Sequence, residues 1–467
     1  MKPLTIQQQT HQQRWVLAAT SLGLIVVIVD VSVVNVALVK LQSAFAAGMT
    51  GLQWVVNAYT LTFAACLLTG GTLGDRLGTK RIFIAGFGIF TIASLGCGLA
   101  PSLVLLIASR VVQGLGAALL VPASLSLLNQ AYTDPIERSR AVGLWAAAGG
   151  IALAAGPVIG GVLIFQIGWR SIFLVNLPVG LLGVLLTMRN APMSLPSLDK
   201  GIDIAGQCAA ILALAGLIGA ITEAGQLGWG HPIVLGGFII FAVAGALFVA
   251  IEARGQAPML PLELFSNRTF SVSSVVGLIV NFAFYGLIFV FSLFFQEVQH
   301  YSTIQTGLAF LPMTAVVMGM NLVAGRLISR IGARPLMVAG LLTAAAGYLL
   351  LLPITAAVSY SHLVLPLLIA GSGIALTVPT MTNATLSAVD RARSGIASGV
   401  LNAARQTGGV LGVAVFGLLV QHQQSGLFMA GVHDALGMAA VSLLLGAGLS
   451  FAGVAPTKIF PMARSSS

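Results

Sequence analysis

The chain is predicted to be an all-α membrane protein, with 14 transmembrane helices forming two six-helix bundles plus an inserted helix pair. Three observations predict this. Of its 467 residues, 57% are hydrophobic and 7% charged, more apolar surface than a water-soluble fold can hide, though a bilayer accepts it directly. Fourteen runs of the sequence are apolar over the ~20 residues that a spanning helix needs. A polar hairpin between two such runs, Gly71-Thr-Leu-Gly-Asp-Arg-Leu-Gly-Thr-Lys-Arg81, returns 254 residues later as Gly325-Arg-Leu-Ile-Ser-Arg-Ile-Gly-Ala-Arg-Pro335. At that offset Gly71, Leu73, Arg76, Gly78 and Lys80 meet Gly325, Leu327, Arg330, Gly332 and Arg334.

The predicted helices span approximately 15–39, 52–71, 82–100, 103–128, 140–165, 171–189, 204–222, 232–251, 271–296, 304–328, 335–354, 362–386, 395–421 and 432–454. With the N-terminus cytoplasmic, every Lys and Arg falls in or beside a cytoplasmic segment except Lys40, Arg170, Arg110 and Arg405. The positive-inside rule therefore places both termini in the cytoplasm. The formal charge of +10, spread over these loops, leaves no single basic face for nucleic acid. The polar, Gln-rich start precedes a run too long for a signal core, so no cleaved leader is expected.

The repeat pairs helices 1–6 with helices 9–14. Arg138-Ser-Arg140 before helix 5 matches Arg391-Ala-Arg393 before helix 13, and helices 7 and 8 have no counterpart. The organisation expected is thus 1–189 for the first bundle, 190–270 for the inserted pair with its linkers, and 271–467 for the second bundle. Within the last linker, Pro258-Met-Leu-Pro-Leu-Glu-Leu-Phe265 reads as an amphipathic segment on the cytoplasmic membrane surface. Two related six-helix bundles are a transporter plan, with the substrate site between them.

Helix 1 carries Asp30 within Val27-Ile-Val-Asp-Val-Ser-Val-Val-Asn-Val-Ala-Leu38. An acid inside an apolar helix is costly and marks a functional candidate. Burial favours the protonated form of a carboxyl and a nearby cation the ionised form, so an acid passing between the two environments can load and release a proton. A structural carboxylate holding a helix contact is the alternative. In the hairpin, Gly71 and Gly78 permit a tight turn, Asp75 can face a helix N-terminus, and Arg76, Lys80 and Arg81 anchor the cytoplasmic rim. A generic positively charged loop is the plainer reading.

Helix 4 carries Arg110 within Arg110-Val-Val-Gln-Gly-Leu-Gly-Ala117. At a helical rise of ~1.5 Å, Asp30 and Arg110 both lie roughly 10–14 Å below the outer surface, close enough in depth to pair. Gln113, one turn deeper, can share the network; a static ion pair between two helices is the other reading. Helix 5 places Ala148, Ala152, Gly156 and Gly160 on one face, a groove for close approach. Pro157 interrupts the hydrogen-bond ladder there, and Gly161 completes the run.

Polar side chains in mid-helix positions supply candidates for the substrate cavity: Asn35, Asn57, Tyr59, Asn281, Tyr285 and Asn321. Arg405, in Asn402-Ala-Ala-Arg-Gln-Thr-Gly-Gly409 of helix 13, either joins them or hydrogen-bonds helix ends nearby. Glu223 and Glu297 read as interfacial. His231, His300, His362, His422 and His433 fall in outer loops, and Cys66, Cys97 and Cys208 are widely separated. No metal or disulfide spacing results. Nucleophile elbows, phosphate-binding loops and paired catalytic carboxylates are missing from the sequence, so no enzyme and no cofactor is expected. The proton is the only coupling ion implied.

These motifs together resemble the major facilitator superfamily, and specifically its fourteen-helix drug:proton antiporters. The hairpin resembles the family's signature loop between helices 2 and 3, its second copy departing from the pattern at Ser329 where the acid would be. The Asp30 segment is similar to Asp-x-Thr-x-x-Asn-x-Ala-Leu-Pro, with Ser32 for Thr and Val39 for Pro. Arg110-x-x-Gln-Gly resembles the family's proton-coupling pattern, and Gly156-Pro-x-x-Gly-Gly161 its antiporter signature. Asn402-x-x-Arg-Gln and the Trp169-Arg-Ser-Ile-Phe-Leu-Val-Asn-Leu-Pro178 start of helix 6 extend the likeness along the chain.

The resemblance implies proton-driven export of drugs or other amphiphilic small molecules by alternating access, carried out by a monomer in the lipid bilayer. Asp30, Arg110 and Gln113 would couple the proton, and Gly71, Asp75, Arg76, Gly78, Lys80 and Arg81 would act as a conformational latch. A proton-coupled importer or lipid transporter on the same fold is the first rival, and a polytopic membrane enzyme the second. With Asp30 the only deep acid beside Arg110 and Arg405, monovalent cations, neutral amphiphiles or weak anions fit the charge count better than dications.

Overall fold

A computed structural model describes residues 6–193, 203–255, 258–390, 393–421 and 425–456. Among them are fourteen long helices and no strand. They are α1 (Ile6–Phe45), α2 (Met49–Leu77), α3 (Thr79–Leu99), α4 (Leu103–Ala131), α5 (Pro135–Gln166), α6 (Ser171–Asn190) and α7 (Ile204–Leu227). After them come α8 (Pro232–Arg254), α9 (Arg268–Leu293), α10 (Thr303–Ile331), α11 (Ala333–Leu351), α12 (Tyr360–Ser387), α13 (Ser394–Leu419) and α14 (Ser425–Gly453). Thirteen of the described helices are long and apolar enough to cross a membrane. The one that falls short is α13, whose apolar run is interrupted by the polar stretch Asn402-Ala-Ala-Arg-Gln-Thr.

Helices α1–α6 pack on one another, as do α9–α14, while α8 packs on α7 and α7 rests against both α2 and α13. The internal repeat is visible in the backbone. Gly78 and Gly332, which separate α2 from α3 and α10 from α11, have φ of 95° and 87°. L side chains avoid that region, so a glycine is required at each turn. Elsewhere glycines let backbones touch: a Cβ at Gly408 or Gly412 of α13 would run into the Leu278 or Phe282 carbonyl of α9.

Three elements differ from the sequence reading. Helix α1 extends to Phe45 rather than ending near residue 39, because Lys40-Leu-Gln-Ser43 continues the helix beyond its apolar stretch. Helix α6 is broken at Val175, where Pro178 has no N–H for the Leu174 carbonyl. The linker segment is a 3₁₀ turn, Leu262–Ser266, docked on the bundle. Leu264 is buried with Phe270 of α9 and Ala397 and Val400 of α13, and Asn267 Nδ2 donates to the Ala388 carbonyl at 2.9 Å. The stretch beyond Met193, Arg391 and His422 lie outside the described residues.

The two bundles are tied by side chains at the end where α1 passes into α2. Gln53 Nε2 of α2 donates to the Ala414 carbonyl of α13 at 3.0 Å, and Ser292 Oγ of α9 donates to the Asn35 carbonyl of α1. Gln296 Nε2 reaches the Val36 carbonyl at 3.1 Å, and Thr303 Oγ1 of α10 the Gly161 carbonyl of α5 at 3.1 Å. Gln296 lies in a π-helical turn, Phe294–Val298, that follows α9. At the opposite end, which carries the hairpin 71–81, Leu68 of α2 packs against the Phe270, Ala397 and Val400 cluster.

Candidate functional site

A buried polar network sits in the first bundle. Asp30 of α1 is fully buried, as are Gln113 and, to within 1%, Arg110 of α4. Arg110 Nη1 donates to Asp30 Oδ2. The same nitrogen donates to Gln113 Oε1 at 2.7 Å, and Arg110 Nε donates to the Val55 carbonyl of α2 at 3.1 Å. The guanidinium carbon lies 4.2 Å from the centre of the Tyr59 ring and 5.9 Å from that of Phe173, the range of cation–π attraction. Gln113 Nε2 completes the enclosure by donating to Asp30 Oδ1 and to Ser94 Oγ, both at 2.8 Å.

Asp30 and Arg110 do pair, at one depth, although their distances from the helix ends differ. With α1 running on to Phe45, Asp30 lies fifteen residues from that end of its helix and Arg110 seven from the start of α4. The offset is absorbed by α1 extending past the start of α4. Only charge pairing with full hydrogen bonding makes a buried ion pair tolerable, and here both carboxylate oxygens have donors.

The network contains residues that motif reading did not single out. Ser94 of α3 accepts from Gln113, and Asn176 Nδ2, the first residue of α6 after its break, points at Asp30 Oδ1 (3.4 Å) and Ser94 Oγ (3.3 Å). Cys97 Sγ contacts Gln113 Oε1 at 3.6 Å. The signal for Asn176 was its place two residues before Pro178, where a helix break exposes polar groups to a neighbour. Ser94 has no sequence signal, since serine is common in membrane helices.

The remaining candidates fall into separate places. Tyr59 is fully buried beneath Arg110, with its hydroxyl directed at the Val27 carbonyl (3.4 Å). Asn35 Nδ2 bonds the Val31 carbonyl at 2.9 Å while its backbone carbonyl takes the tie from Ser292. Asn57 is fully buried, and neither atom of its amide has a partner within the protein. Asn281 is nearly buried on α9, and Asn321 lies on α10 with an unpartnered Oδ1. Tyr285 and Arg405 come together in the second bundle: the Tyr285 ring overlies Gly409, one turn of α13 beyond Arg405, and the Arg405 stem lies along Gly277.

The hairpin residues occupy the opposite end. Lys80 Nζ donates to the Met188 and Ala191 carbonyls at 2.9 and 2.8 Å, fastening the start of α3 to the last turn of α6. This is a favourable place for a cation, since a helix C-terminus carries partial negative charge. Gly71, Asp75 and Arg76 are partly accessible on the last turns of α2, Gly78 forms the turn, and Arg81 is exposed.

In α5 the small residues serve two neighbours. A Cβ at Gly156 would lie 2.7 Å from the Ser32 Cβ of α1, and one at Gly160 2.9 Å from the Val33 Cβ. Gly161 approaches Thr303 of α10, and a Cβ on Gly307 of α10 would collide with the Pro157 carbonyl. The α5 run therefore packs within its own bundle on one face and against the other bundle on the next.

Glu223 is more than interfacial. Trp54 Nε1 of α2 donates to its Oε1 at 2.9 Å, and Thr50 Oγ1 reaches the Thr222 carbonyl at 3.5 Å. At the other end of α7, Gln207 Nε2 donates to the Ala65 carbonyl at 2.8 Å, and Thr69 Oγ1 bonds Gln207 Oε1. A cleft of about 530 Å³ opens beside these contacts, lined by Thr50, Gln53, Gln226 and Gln421 among others.

Comparison with known proteins bears on what such a network serves. Residues 20–413 match the family model described as Major Facilitator Superfamily. The chain is 39% identical over 401 residues to the multidrug resistance protein Stp of Mycobacterium tuberculosis H37Rv, covering 86% of this chain and 74% of that protein. It is 37% identical over 440 residues to a methylenomycin A resistance protein of Bacillus subtilis, covering 94% and 92%. A puromycin resistance protein of Streptomyces alboniger is 36% identical over 407 residues, covering 86% and 80%. Among solved structures, an inward-facing bacterial homologue of the human lysosomal transporter Spinster superposes with a TM-score of 0.69 at 19% identity, covering 95% of this chain and 97% of that one. A D-xylose-proton symporter superposes at 0.70 and 14%, covering 96% and 99%; at these identities the likeness is one of fold.

Proposed function

The chain belongs to the major facilitator superfamily, a family of membrane transporters rather than enzymes, and from that premise we propose that it exports amphiphilic small molecules in exchange for protons. The observation that carries this reading is the enclosed Asp30–Arg110–Gln113 network, an ionisable group deep in an apolar bundle with a cation to exchange it against. The relatives named for resistance to drugs and antibiotics support export as the direction.

The hairpin end faces the cytoplasm in this reading, by the distribution of Lys and Arg. The ties among Gln53, Ser292, Gln296 and Thr303 then lie on the outer side, where they hold the two bundles together. Residues 1–189 and 271–467 act as the two moving halves. A proton arriving from outside neutralises Asp30 and removes the charge that holds Arg110, which keeps its bonds to Val55 and Gln113. The contact between α1 and α4 is thereby altered. The halves rock, the proton departs inward, and the substrate leaves outward. In the outward-open arrangement Asp75 and the basic hairpin residues hold the cytoplasmic side shut. The protein does this as a monomer in the inner membrane, with no cofactor.

Reconstitution in proteoliposomes with a fluorescent amphiphilic dye and an imposed pH gradient tests the direction. Dye moving against the proton flow is expected. Dye moving with the proton flow would establish the rival, uptake by symport.

A further inference from the structure

Arg405 is a cation without an acid. It stands in the middle of α13, partly accessible, with its stem along Gly277 of α9 and the Tyr285 ring one turn away. Its Nε is buried and has no partner within the protein, and its one side-chain bond is a long one, Nη1 to Asn402 Oδ1 at 3.4 Å. Among the described residues of the second bundle, the acids are Glu297 after α9, Asp390 after α12 and Asp434 near the start of α14, all remote from mid-α13 along their helices. The charged or titratable neighbour that acts on Arg405 is Tyr285, a neutral phenol.

Contrast Arg110, the deep cation of the first bundle, whose guanidinium is spent on Asp30, Gln113 and Val55. Asp30 and Arg110 cancel each other, so the positive charge of Arg405 is the uncompensated one at the centre. A guanidinium at membrane depth needs an anion or a full set of acceptors, and its planar fork can take a carboxylate through two parallel hydrogen bonds.

We propose that Arg405, with Tyr285 and Asn402, is the substrate-recognition subsite of the second bundle and takes the acidic group of an amphiphilic weak acid, a carboxylate on an apolar body. This rests on the transport reading above and narrows its substrate class. Asn402 supplies an acceptor that steadies the guanidinium without neutralising it. Tyr285 supplies a ring for the apolar body and a hydroxyl beside the carboxylate.

The test is equilibrium binding to the full-length protein in lipid nanodiscs, using 11-(dansylamino)undecanoic acid and its primary amide at pH 7, followed by dansyl fluorescence. The native protein should bind the acid about ten-fold or more tightly than the amide, as a charge-assisted hydrogen bond would give. Arg405→Gln should remove that preference and leave amide binding within about two-fold. Arg405→Lys should keep part of it. Asn402→Asp, which sets an internal carboxylate against the guanidinium, should abolish the preference with Arg405 still in place, and serves if Arg405→Gln does not fold. Equal affinity of acid and amide for the native protein overturns the proposal, and so does an equal loss of both on Arg405→Gln. The transport reading is judged separately: amide efflux driven by a pH gradient leaves it standing when acid selectivity fails, and selective binding without any gradient-driven efflux has the reverse meaning.

Discussion

Asp30 is held by four residues from three other helices, Arg110 and Gln113 of α4, Asn176 of α6 and, through Gln113, Ser94 of α3. Gln113 bonds three of the others, Asp30, Arg110 and Ser94. Replacing it with Leu removes donors to Asp30 and Ser94 and an acceptor for Arg110, at about 1.5–3 kcal/mol for each bond to a charged group. Gradient-driven efflux by Gln113→Leu is expected to fall at least about ten-fold, measured in proteoliposomes at equal protein density. Ser94→Ala, which removes a single neutral bond worth about 0.5–1.5 kcal/mol, should cost only a few-fold. Equal effects of the two would mean that Gln113 does not act through the charge pair. Asp30, Arg110 and Gln113 were legible in the sequence because polar groups in apolar helices are expensive. Ser94 and Asn176 were not, because pairing across helices depends on rotations that spacing along one helix does not encode.

Among the elements, α5 and α10 form the seam that would open in the proposed alternating-access cycle. Gly161 and Gly307 let Thr303 and Pro157 approach backbone to backbone, and Thr303 Oγ1 then reaches the Gly161 carbonyl. A side chain at Gly307 has no room while this seam is shut. Gly307→Leu is therefore expected to hold the outer seam open. In a background lacking Cys66, Cys97 and Cys208, a cysteine replacing Thr314, two turns further along α10, should react several-fold faster with an impermeant thiol reagent added outside when Gly307→Leu is present. Unchanged labelling would show that α5 and α10 do not gate the outer side. The helices themselves were legible from apolar length, down to the single short turn between α3 and α4. The break in α6 was foreshadowed by Pro178, but the π turn that aims Gln296 at α1 has no residue signature, being a product of packing between Phe-rich neighbours. The docked linker at Leu262–Ser266 was read only as amphipathic, since its partners lie more than a hundred residues away in α13.

For the whole molecule, the inserted pair α7–α8 must go with one half when the halves move. Its hydrogen bonds go to α2, through Trp54–Glu223, Thr50–Thr222, and Gln207 with Ala65 and Thr69. Toward α13 the described contacts are mainly apolar, Ile218 against Val410 and Ala414. Hydrogen bonds hold register where apolar faces slide, so the pair is expected to travel with α2. A disulfide between cysteines at Thr50 and Thr222 should leave efflux near the native rate, whereas one between Gly225 and Gln421 should arrest it. The opposite pattern would assign the insertion to the second half. The duplicated hairpin made the two halves legible from sequence. Nothing in the unrepeated segment indicated which half it would join, because its partners on α2 and α13 lie far away along the chain.

The central claim is that Asp30 carries the proton that substrate displaces. Its most direct test is proton release on adding substrate to the reconstituted protein, followed with a pH-sensitive dye in lightly buffered solution, for the native chain and Asp30→Asn. The account predicts release from the native protein and none from Asp30→Asn, with substrate affinity retained within a few-fold. Undiminished release from Asp30→Asn would contradict it and move the proton carrier away from the α1–α4 network.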